Sequence, residues 1–255
     1  MTVAGPAPLL FIIPAFNEEE SLPGVLDELG AAFPEADVVV IDDGSADATA
    51  AMARAGGAVV LQLPYNLGIG GALRTGFRYA VRKGYQRGVQ FDADGQHHAD
   101  EVPALLVALD AGADMVVGSR FSDGTPPYKV GRLRKAAMGL LSITMRRIAG
   151  KHFSDTSSGF RAFSRPVLEF FAETYPAEYM ESVEALFSTV RAGYDVVEVP
   201  VQMRERELGA PSNRTWRLVY HYLRLFVVLL AQAPRSKRPV APSPPADADA
   251  SGAAA

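Results

Sequence analysis

The first 120 residues alternate short, continuously apolar runs with stretches whose apolar residues recur every three or four positions. The continuous runs predict strands at 9–13, 37–41, 58–63, 88–91 and 114–117, of which the first two are expected to be buried. The periodic stretches predict helices that begin near Leu22, run over 48–55, run from the glycine-rich stretch 66–72 to residue 82, and run over 102–111. Strands that alternate with helices are typical of an α/β fold with a mainly parallel central sheet.

After Arg120 the pattern becomes less regular. The elements predicted there are a helix at 130–149, a short strand after a polar loop that ends in Gly159-Phe160-Arg161, helices at 166–173 and 182–191, a strand at 194–199 and a last helix at 215–231. From residue 234 onward Pro, Ala, Ser and Asp dominate, which is typical of disorder. We therefore predict a single domain over residues 1–233 and a disordered tail over 234–255.

Composition excludes several classes of function. The chain has 25 Lys and Arg against 29 Asp and Glu, a net charge of −4, so binding to nucleic acid is not expected. It has no cysteine, which excludes disulfides and thiolate metal sites and fits a cytoplasmic location. Because the start lacks a basic region and no run of about 18 apolar residues occurs, we expect neither a signal peptide nor a membrane span.

Polar residues follow four of the first five predicted strands, at the end where α/β proteins bind ligands. The most acidic of these stretches contains Asp92, Asp94 and Gln96. Two carboxylates and an amide oxygen suit Mg²⁺ or Mn²⁺, which complete their coordination with substrate phosphates and water. For this motif alone, an Asp-Gly turn that closes a strand is the simpler interpretation.

Five motifs together carry a resemblance to a known family. They are Pro14-Ala15-Phe16-Asn17-Glu18-Glu19, Asp42-Asp43-Gly44-Ser45, Asn66-Leu67-Gly68, Asp92-Ala93-Asp94-Gly95-Gln96 and Ser158-Gly159-Phe160-Arg161. In order and approximate spacing the chain resembles the family 2 glycosyltransferases over roughly residues 9–230. It is most similar to the dolichol-phosphate mannose synthases and related bacterial polyprenyl-phosphate glycosyltransferases. The resemblance implies the GT-A fold, a nucleotide-sugar donor, a divalent metal and inversion at the anomeric carbon.

The resemblance also implies roles for individual residues. The residues that match nucleotide-sugar contacts are Pro14, Phe16, Glu18, Ile41, Asp43, Asp92, Ala93 and Arg206. Asp94 and Gln96 match metal ligands, Asp92 is a further candidate ligand, and Asp94 with Arg120 are the candidate catalytic residues. The family often has Ser-Lys where this chain has Ser212-Asn213-Arg214, so either Arg214 substitutes for the lysine or that contact is missing.

The chemistry of the acceptor favours arginines over a general base. A polyprenyl phosphate is largely ionised at pH 7, with a second pKa of about 6, and therefore needs cations rather than deprotonation. Arg120, Arg134 and Arg161 are the candidates to bind the acceptor phosphate, because arginine makes bidentate contacts to phosphate.

For a hydroxyl acceptor, Glu181 or Glu184 could act as base, but we favour the interpretation that both are charges at the N-terminus of a helix, which need no catalytic role. His97 and His98 follow the metal motif, and we expect capping or surface contacts for both.

A polyprenyl acceptor lies in a bilayer, so we expect peripheral attachment to the cytoplasmic face of the membrane. The predicted helices at 130–149 and 215–231 contain apolar residues interleaved with arginines and could lie in the interface, although packing on the core is the commoner arrangement. A small membrane protein is a further expected partner. The alternatives are transfer to a saccharide or small-molecule hydroxyl, nucleotidyl transfer to a sugar phosphate, and a scaffold protein that has lost activity.

Overall fold

A computed structural model describes residues 9–120, 153–176 and 181–204. It contains a seven-stranded sheet whose strands, in chain order, are β1 (Leu9–Ala15), β2 (Asp37–Asp42), β3 (Val59–Gln62), β4 (Arg87–Gln90), β5 (Met115–Ser119), β6 (Arg161–Ser164) and β7 (Val196–Pro200). Their spatial order is β3-β2-β1-β4-β6-β5-β7. Every strand is parallel to the others except β6, which runs antiparallel between β4 and β5. The predicted mainly parallel sheet is confirmed.

The helices of the described residues cover both faces of this sheet. They are α1 (Leu22–Ala32), α2 (Thr49–Ala55), α3 (Ile69–Lys83), α4 (Val102–Asp110), α5 (Arg165–Thr174) and α6 (Glu181–Arg191), and a single 3-10 turn (Ala99–Glu101) precedes α4. Successive residues of β1 point to opposite faces, so that Ile12 packs with α3, α5 and α6 while Phe11 and Ile13 pack with α1 and α4. Continuous apolar runs are required in β1 and β5 because both faces of these strands are buried, whereas β3 at the edge of the sheet is partly exposed.

Helix α3 lies unusually close to the sheet at Gly76. A Cβ atom at this position would overlap Ile12 and lie 3.0 Å from Cδ1 of Ile41. At the next residue, the ring of Phe77 packs edge-on against Phe163, with ring centroids 5.2 Å apart, and tilted against Tyr175 at 5.0 Å. The close approach of α3 therefore brings β1, β2 and β6 into one core with α5.

The first strand is longer than predicted, because it continues through Pro14 to Ala15. Its pairing with β4 ends at Ile12, whose carbonyl accepts the N–H of Phe91. Peptide groups of a strand alternate in direction, so Pro14 faces the same side as Ile12, beyond the end of β4. The missing proline N–H thus leaves no gap in the ladder.

Several predictions concern residues outside the described ranges. These are the helices at 130–149 and 215–231 and the disordered tail at 234–255, and the single-domain boundary at residue 233 likewise stays a prediction. Within the described ranges, no helix is long and apolar enough to cross a membrane.

Candidate active site

The carboxyl ends of the parallel strands bring the sequence motifs together along one edge of the sheet. Ala15 pairs with Asp42 across β1 and β2, and Ile12 pairs with Gln90 across β1 and β4. Arg161, the first residue of the antiparallel β6, pairs with Gln90 on one side and Val117 on the other. Along this edge the residues therefore follow one another in the order Asp42-Asp43, the loop after Ala15, the Asp92–Asp94 loop, Arg161 and Arg120.

The loop after β1 is fastened to the loop after β2 by reciprocal hydrogen bonds. The N–H of Asn17 donates to Oγ of Ser45 at 2.9 Å, and the N–H of Ala46 donates back to Oδ1 of Asn17 at 2.9 Å. Asn17 has φ of 56°, a left-handed conformation that asparagine tolerates better than most residues. The N–H of Glu18 donates to Oγ1 of Thr49 in α2. These bonds hold the two predicted nucleotide-binding loops in a fixed relation.

Asp43 connects the same region to the Asn66-Leu67-Gly68 motif. Its side chain is 3% exposed, and Oδ1 accepts the N–H of Leu67 at 2.7 Å. Burial raises the pKa of Asp43. At the neighbouring Gly44, with φ of 75°, a Cβ atom would lie 2.8 Å from the carbonyl carbon of Tyr65, so only glycine allows these two loops to approach so closely.

The other predicted nucleotide contacts differ in accessibility. Phe16 is 46% exposed at the mouth of this edge, and Pro14 and Glu18 are half-buried. One carboxylate oxygen of Glu18 accepts the hydroxyl of Ser21 at 2.8 Å. Ile41 and Ala93 are buried, so contacts to a ligand at these two positions would come from their backbone.

We call Asp92–His97 the metal loop, after its predicted role. Gly95 has φ of 74° and allows the loop to turn, and the N–H of Gln96 donates to Oδ1 of Asp94 at 3.1 Å. The side chain of Asp92 is 30% exposed, but its Oδ1 is enclosed beside the Gln90 amide and accepts no hydrogen bond of good geometry. Burial raises the pKa of Asp92 to about 6, while Gln90 and Arg120 oppose the shift.

The oxygen ligands of the metal loop fit a hard divalent cation in type, and the enclosed Oδ1 of Asp92 is an acceptor that such an ion would satisfy. Among the residues the structure describes, no group of three or more His, Asp or Glu side chains could hold a metal by itself. A cation at the metal loop would therefore need further ligands from a bound substrate or water.

The prediction of a capping or surface role was wrong for His97. Its side chain is 2% exposed and stacks on Phe160, with the ring centroids 4.6 Å apart. Burial lowers the pKa of His97 to about 4, so the imidazole is neutral at pH 7. The sequence signal for this was weak, because His97 stands in a polar motif directly before the partly exposed His98.

Backbone contacts to Met203 and Arg204 hold the C-terminal end of the metal loop. The carbonyl of Gln96 accepts the N–H of Arg204 at 2.9 Å, and His97 forms an isolated bridge with Met203. The guanidinium of Arg204 pairs with Glu28 of α1 at 2.7 and 3.1 Å. Sequence reasoning did not identify Glu28 or Arg204, since nothing in the local pattern links positions so far apart in the chain.

Arg120 lies in a bidentate ion pair with Asp155, a residue that sequence reasoning also missed. Nε and Nη2 of Arg120 donate to the two carboxylate oxygens at 2.7 and 2.9 Å. Although burial alone raises the pKa of Asp155, the hydrogen bonds and charge of Arg120 hold it below its usual value. Glu198 of β7 accepts the N–H of Asp155 at 2.8 Å and that of Ser154. The orientation of Arg120 is therefore set by a chain of contacts that reaches back to the sheet.

Arg161, by contrast, is completely buried. Its Nη2 donates to the carbonyl oxygens of Ser182 at 2.8 Å and Thr156 at 3.4 Å, while Nε and Nη1 have no hydrogen-bond partner. Burial lowers its pKa, and the carboxylates of Glu181, Asp155 and Asp92 oppose this shift. In this arrangement a phosphate would reach Arg161 only if the surrounding side chains moved.

Glu181 and Glu184 lie in the first turn of α6, as predicted. Glu181 is buried and accepts the hydroxyl of Ser182 at 2.7 Å. Burial raises the pKa of both carboxyl groups. A raised pKa would suit a proton acceptor near neutral pH.

The comparison with known families decides the family of the chain. The family described as "Glycosyl transferase family 2" matches residues 10–171, which include the metal loop, Arg120 and Arg161. The chain belongs to glycosyl transferase family 2. The predictions of the family, of the GT-A fold and of glycosyltransferase activity are thereby confirmed.

Relatives of this family 2 glycosyltransferase act on lipid phosphates. The chain is 35% identical over 212 residues to a polyprenol monophosphomannose synthase of Mycolicibacterium smegmatis, covering 78% of each chain. It is 38% identical over 215 residues to an undecaprenyl-phosphate mannosyltransferase of Micrococcus luteus, covering 79% of this chain and 85% of the relative.

Among solved structures, the family 2 glycosyltransferase resembles glucosyl-3-phosphoglycerate synthase from Mycobacterium tuberculosis, crystallised with Mn²⁺, UDP and phosphoglyceric acid. The TM-score is 0.66 at 24% identity, covering 88% of this chain and 77% of that one, which establishes a shared fold. The predicted site residues Arg134 and Arg206, and Arg214 as a substitute lysine, lie outside the described residues.

Proposed function

We propose that the chain transfers a hexose from a nucleotide-diphosphate sugar to a polyprenyl phosphate, with inversion, and so produces a lipid-linked monosaccharide. The observation that carries the proposal is the order of groups along one sheet edge. Predicted nucleotide contacts lie on β1 and β2, oxygen ligands follow β4, and an oriented arginine follows β5. A donor that spans this edge from base to sugar would place its anomeric carbon between the metal loop and Arg120.

On the donor side, Phe16 offers an exposed aromatic surface to the base, and Pro14, Glu18 and Asp43 surround it. The backbone at Ile41 and Ala93 contributes the remaining contacts, and Arg206 completes the donor side by resemblance. The donor is GDP-mannose or a UDP-hexose. The mannose transferred by these two relatives supports GDP-mannose.

Asp94 and Gln96, with Asp92, would hold Mg²⁺ or Mn²⁺ against the diphosphate. A bound divalent ion would stabilise the negative charge that develops on the leaving nucleoside diphosphate. It would also favour the ionised form of Asp92, whose pKa is otherwise raised by burial.

On the acceptor side, Arg120 is the principal contact. An oxygen of the acceptor phosphate forms a bond to the anomeric carbon while the bond from that carbon to the donor diphosphate breaks on the opposite face. Because the phosphate oxygen is already ionised, no base removes a proton. Arg120 offsets the repulsion between two anions, and Arg134 supplies a second positive charge. Arg161 can contribute through its field without direct contact.

One observation favours a second candidate, transfer to a saccharide or small-molecule hydroxyl. A hydroxyl acceptor requires a base, and burial raises the pKa of both Glu181 and Glu184, which suits that role. The two candidates differ in the acceptor alone and share the donor side.

We further propose that the enzyme acts at the cytoplasmic face of the membrane as a peripheral protein, with a small membrane protein as a partner. The lipid phosphate acceptors of the relatives support this location.

A donor and acceptor screen tests the proposed function. Purified full-length protein is incubated with Mn²⁺ or Mg²⁺, radiolabelled GDP-mannose, UDP-glucose or UDP-N-acetylhexosamine, and a polyprenyl phosphate in detergent. We expect label from one donor to enter the organic phase, and we expect Asp94→Ala to reduce the rate at least about 100-fold because the metal contact is lost. Asp100→Ala, at an exposed position just outside the metal loop, is the matched control and should retain activity.

Metal-dependent hydrolysis of a donor without any label in the organic phase would contradict the lipid acceptor and favour the hydroxyl candidate. Equal organic-phase label with wild type and Asp94→Ala would contradict the assigned metal site.

A further inference from the structure

The ring of His97 is fixed between two aromatic side chains of the core. It stacks on Phe160 and meets Phe91 edge-on, with ring centroids 4.6 and 5.2 Å apart. Phe91 directly precedes Asp92 in the chain, and Phe160 directly precedes Arg161. A polar ring in such surroundings is unfavourable unless its nitrogen atoms have partners. For His97, both partners belong to Asp92.

Both nitrogen atoms of His97 face Asp92. Nδ1 accepts the backbone N–H of Asp92 at 3.0 Å. An accepting Nδ1 leaves the single proton of a neutral imidazole on Nε2, which lies 3.5 Å from Oδ2 of the same residue. The imidazole therefore contacts the backbone and the carboxylate of Asp92 from one side and folds the metal loop back upon its own first residue.

We propose that His97 is a positioning residue that fixes the peptide group and carboxylate of Asp92, an inference that rests on the metal-dependent donor site proposed above. Gly95 gives the metal loop conformational freedom, and the contacts of Met203 and Arg204 restrain only its far end. His97 restrains the near end. Its loss leaves the partly buried N–H of Asp92 without this acceptor and lets the metal loop sample other conformations.

Three substitutions separate hydrogen bonding from packing. His97→Phe fills the aromatic slot but has no acceptor. His97→Asn keeps an oxygen near the place of Nδ1 and loses part of the ring. His97→Gln is polar and of similar size, but its amide reaches the place of Nε2. The hypothesis predicts that Asn preserves the shape of the loop better than either Phe or Gln.

Two measurements on the full chain read out the effect. The first is hydrogen exchange of a peptide spanning residues 92–97, without any ligand. The second is the affinity for Mn²⁺ in the presence of GDP or UDP, followed by the electron paramagnetic resonance of free Mn²⁺. Loss of residues that orient metal ligands weakens metal binding about 10- to 100-fold, and we expect such a loss, with faster exchange, for Phe and Gln. For Asn we expect both properties to stay within about threefold of wild type, since the acceptor that organises the loop is retained.

Wild-type exchange and Mn²⁺ affinity in the Phe variant would overturn the proposal, and so would equal losses in all three variants. If the Phe variant does not fold, as judged by thermal unfolding, the comparison of Asn with Gln decides the question. Wild-type protein that binds nucleotide without any metal dependence would contradict the donor half of the proposed function. The exchange measurement, which contains no ligand, still tests His97 in that case.

Discussion

At the scale of single residues, the site depends on charged side chains held by other charged side chains. Arg120 is predicted to meet the acceptor phosphate, yet Asp155 already binds two of its nitrogen atoms. Asp155 is itself fixed through its backbone by Glu198. The guanidinium is therefore oriented before any substrate arrives, which reduces the entropy lost on binding. Asp155 is thus expected to affect the acceptor without touching it.

Replacing Asp155 by Asn tests this role. The side chain keeps its size but loses its charge and one acceptor for Arg120, and a hydrogen bond to a charged group contributes about 1.5–3 kcal/mol. We expect KM for the polyprenyl phosphate to rise about 10-fold, which corresponds to about 1.4 kcal/mol, while KM for the donor changes little. Steady-state kinetics with each substrate varied in turn provides the measurement.

Asp114→Asn is the matched control, because Asp114 is a buried carboxylate that accepts the N–H of Asp195 at the opposite end of β5. It should destabilise the fold without a selective change in acceptor KM. A parallel rise of both KM values in Asp155→Asn would show that the ion pair has only a structural role.

The residues that the sequence identified and those that it missed differ in a physical way. Asp92, Asp94 and Gln96 are recognisable because their ligand atoms stand together in one short motif. His97, Asp155, Glu198, Glu28 and Arg204 act through pairs formed by the fold, and their neighbours in the chain do not reveal the partner. A histidine in a polar turn gives no local sign that two phenylalanines, one of them Phe160, enclose it.

At the scale of elements, the close contact between α3 and the sheet depends on a glycine, Gly76, which has no Cβ atom. A Cβ atom at Gly76 would overlap Ile12 in β1 and crowd Ile41 in β2. The same two strands carry the loops that meet at Asn17 and Ser45. The close approach at Gly76 thus sets the position of α3 against the two strands that carry the predicted nucleotide loops.

Gly76→Ala is expected to destabilise the fold. Overpacking a core contact costs about 1–3 kcal/mol, and the better helix propensity of alanine returns about 1 kcal/mol. The net loss should therefore lie between zero and about 2 kcal/mol in the free energy of unfolding, measured by urea denaturation. Gly30→Ala in α1 is the matched control, because nothing lies within 4 Å of its Cβ position. It should stabilise the protein by about 0.5–1 kcal/mol. Equal effects of the two substitutions would contradict the close-packing argument.

The sequence predicted the individual strands well but not their neighbours. Continuous apolar runs identified the strands, and six of the seven strands are parallel as predicted. The insertion of β6 between β4 and β5 in antiparallel orientation was not predicted, since the choice of neighbour depends on packing between distant segments. The continuation of β1 through Pro14 likewise depends on where β4 ends.

At the scale of the whole molecule, stability should depend on pH through carboxylates whose native pKa is depressed. The pKa of Asp155 is lowered by Arg120, and that of Glu28 by Arg204 and the N–H of Ala99, in both cases against the opposite effect of burial. A depressed native pKa adds stability above the pKa of the unfolded chain, near 4. That stability is lost as the pH falls through the native pKa.

We therefore expect the difference in the free energy of unfolding between wild type and Asp155→Asn to shrink as the pH drops from 5 toward 3, because only wild type carries the depressed Asp155 carboxyl. Urea denaturation of both proteins at matched pH values provides the measurement. Parallel curves for the two proteins over this range would contradict the assigned native pKa shift of Asp155.

The pairing of Arg120 with Asp155 has a further consequence for how such enzymes diversify. It joins the two ends of the intervening stretch 121–152, together with the contact between Oγ of Ser119 and Oγ of Ser154 at 2.7 Å. A segment whose two ends are joined to each other can be lengthened, shortened or exchanged with little strain on the sheet. Evolution could thus exchange residues 121–152 to suit a new acceptor while the strands that carry the predicted donor contacts stay unchanged.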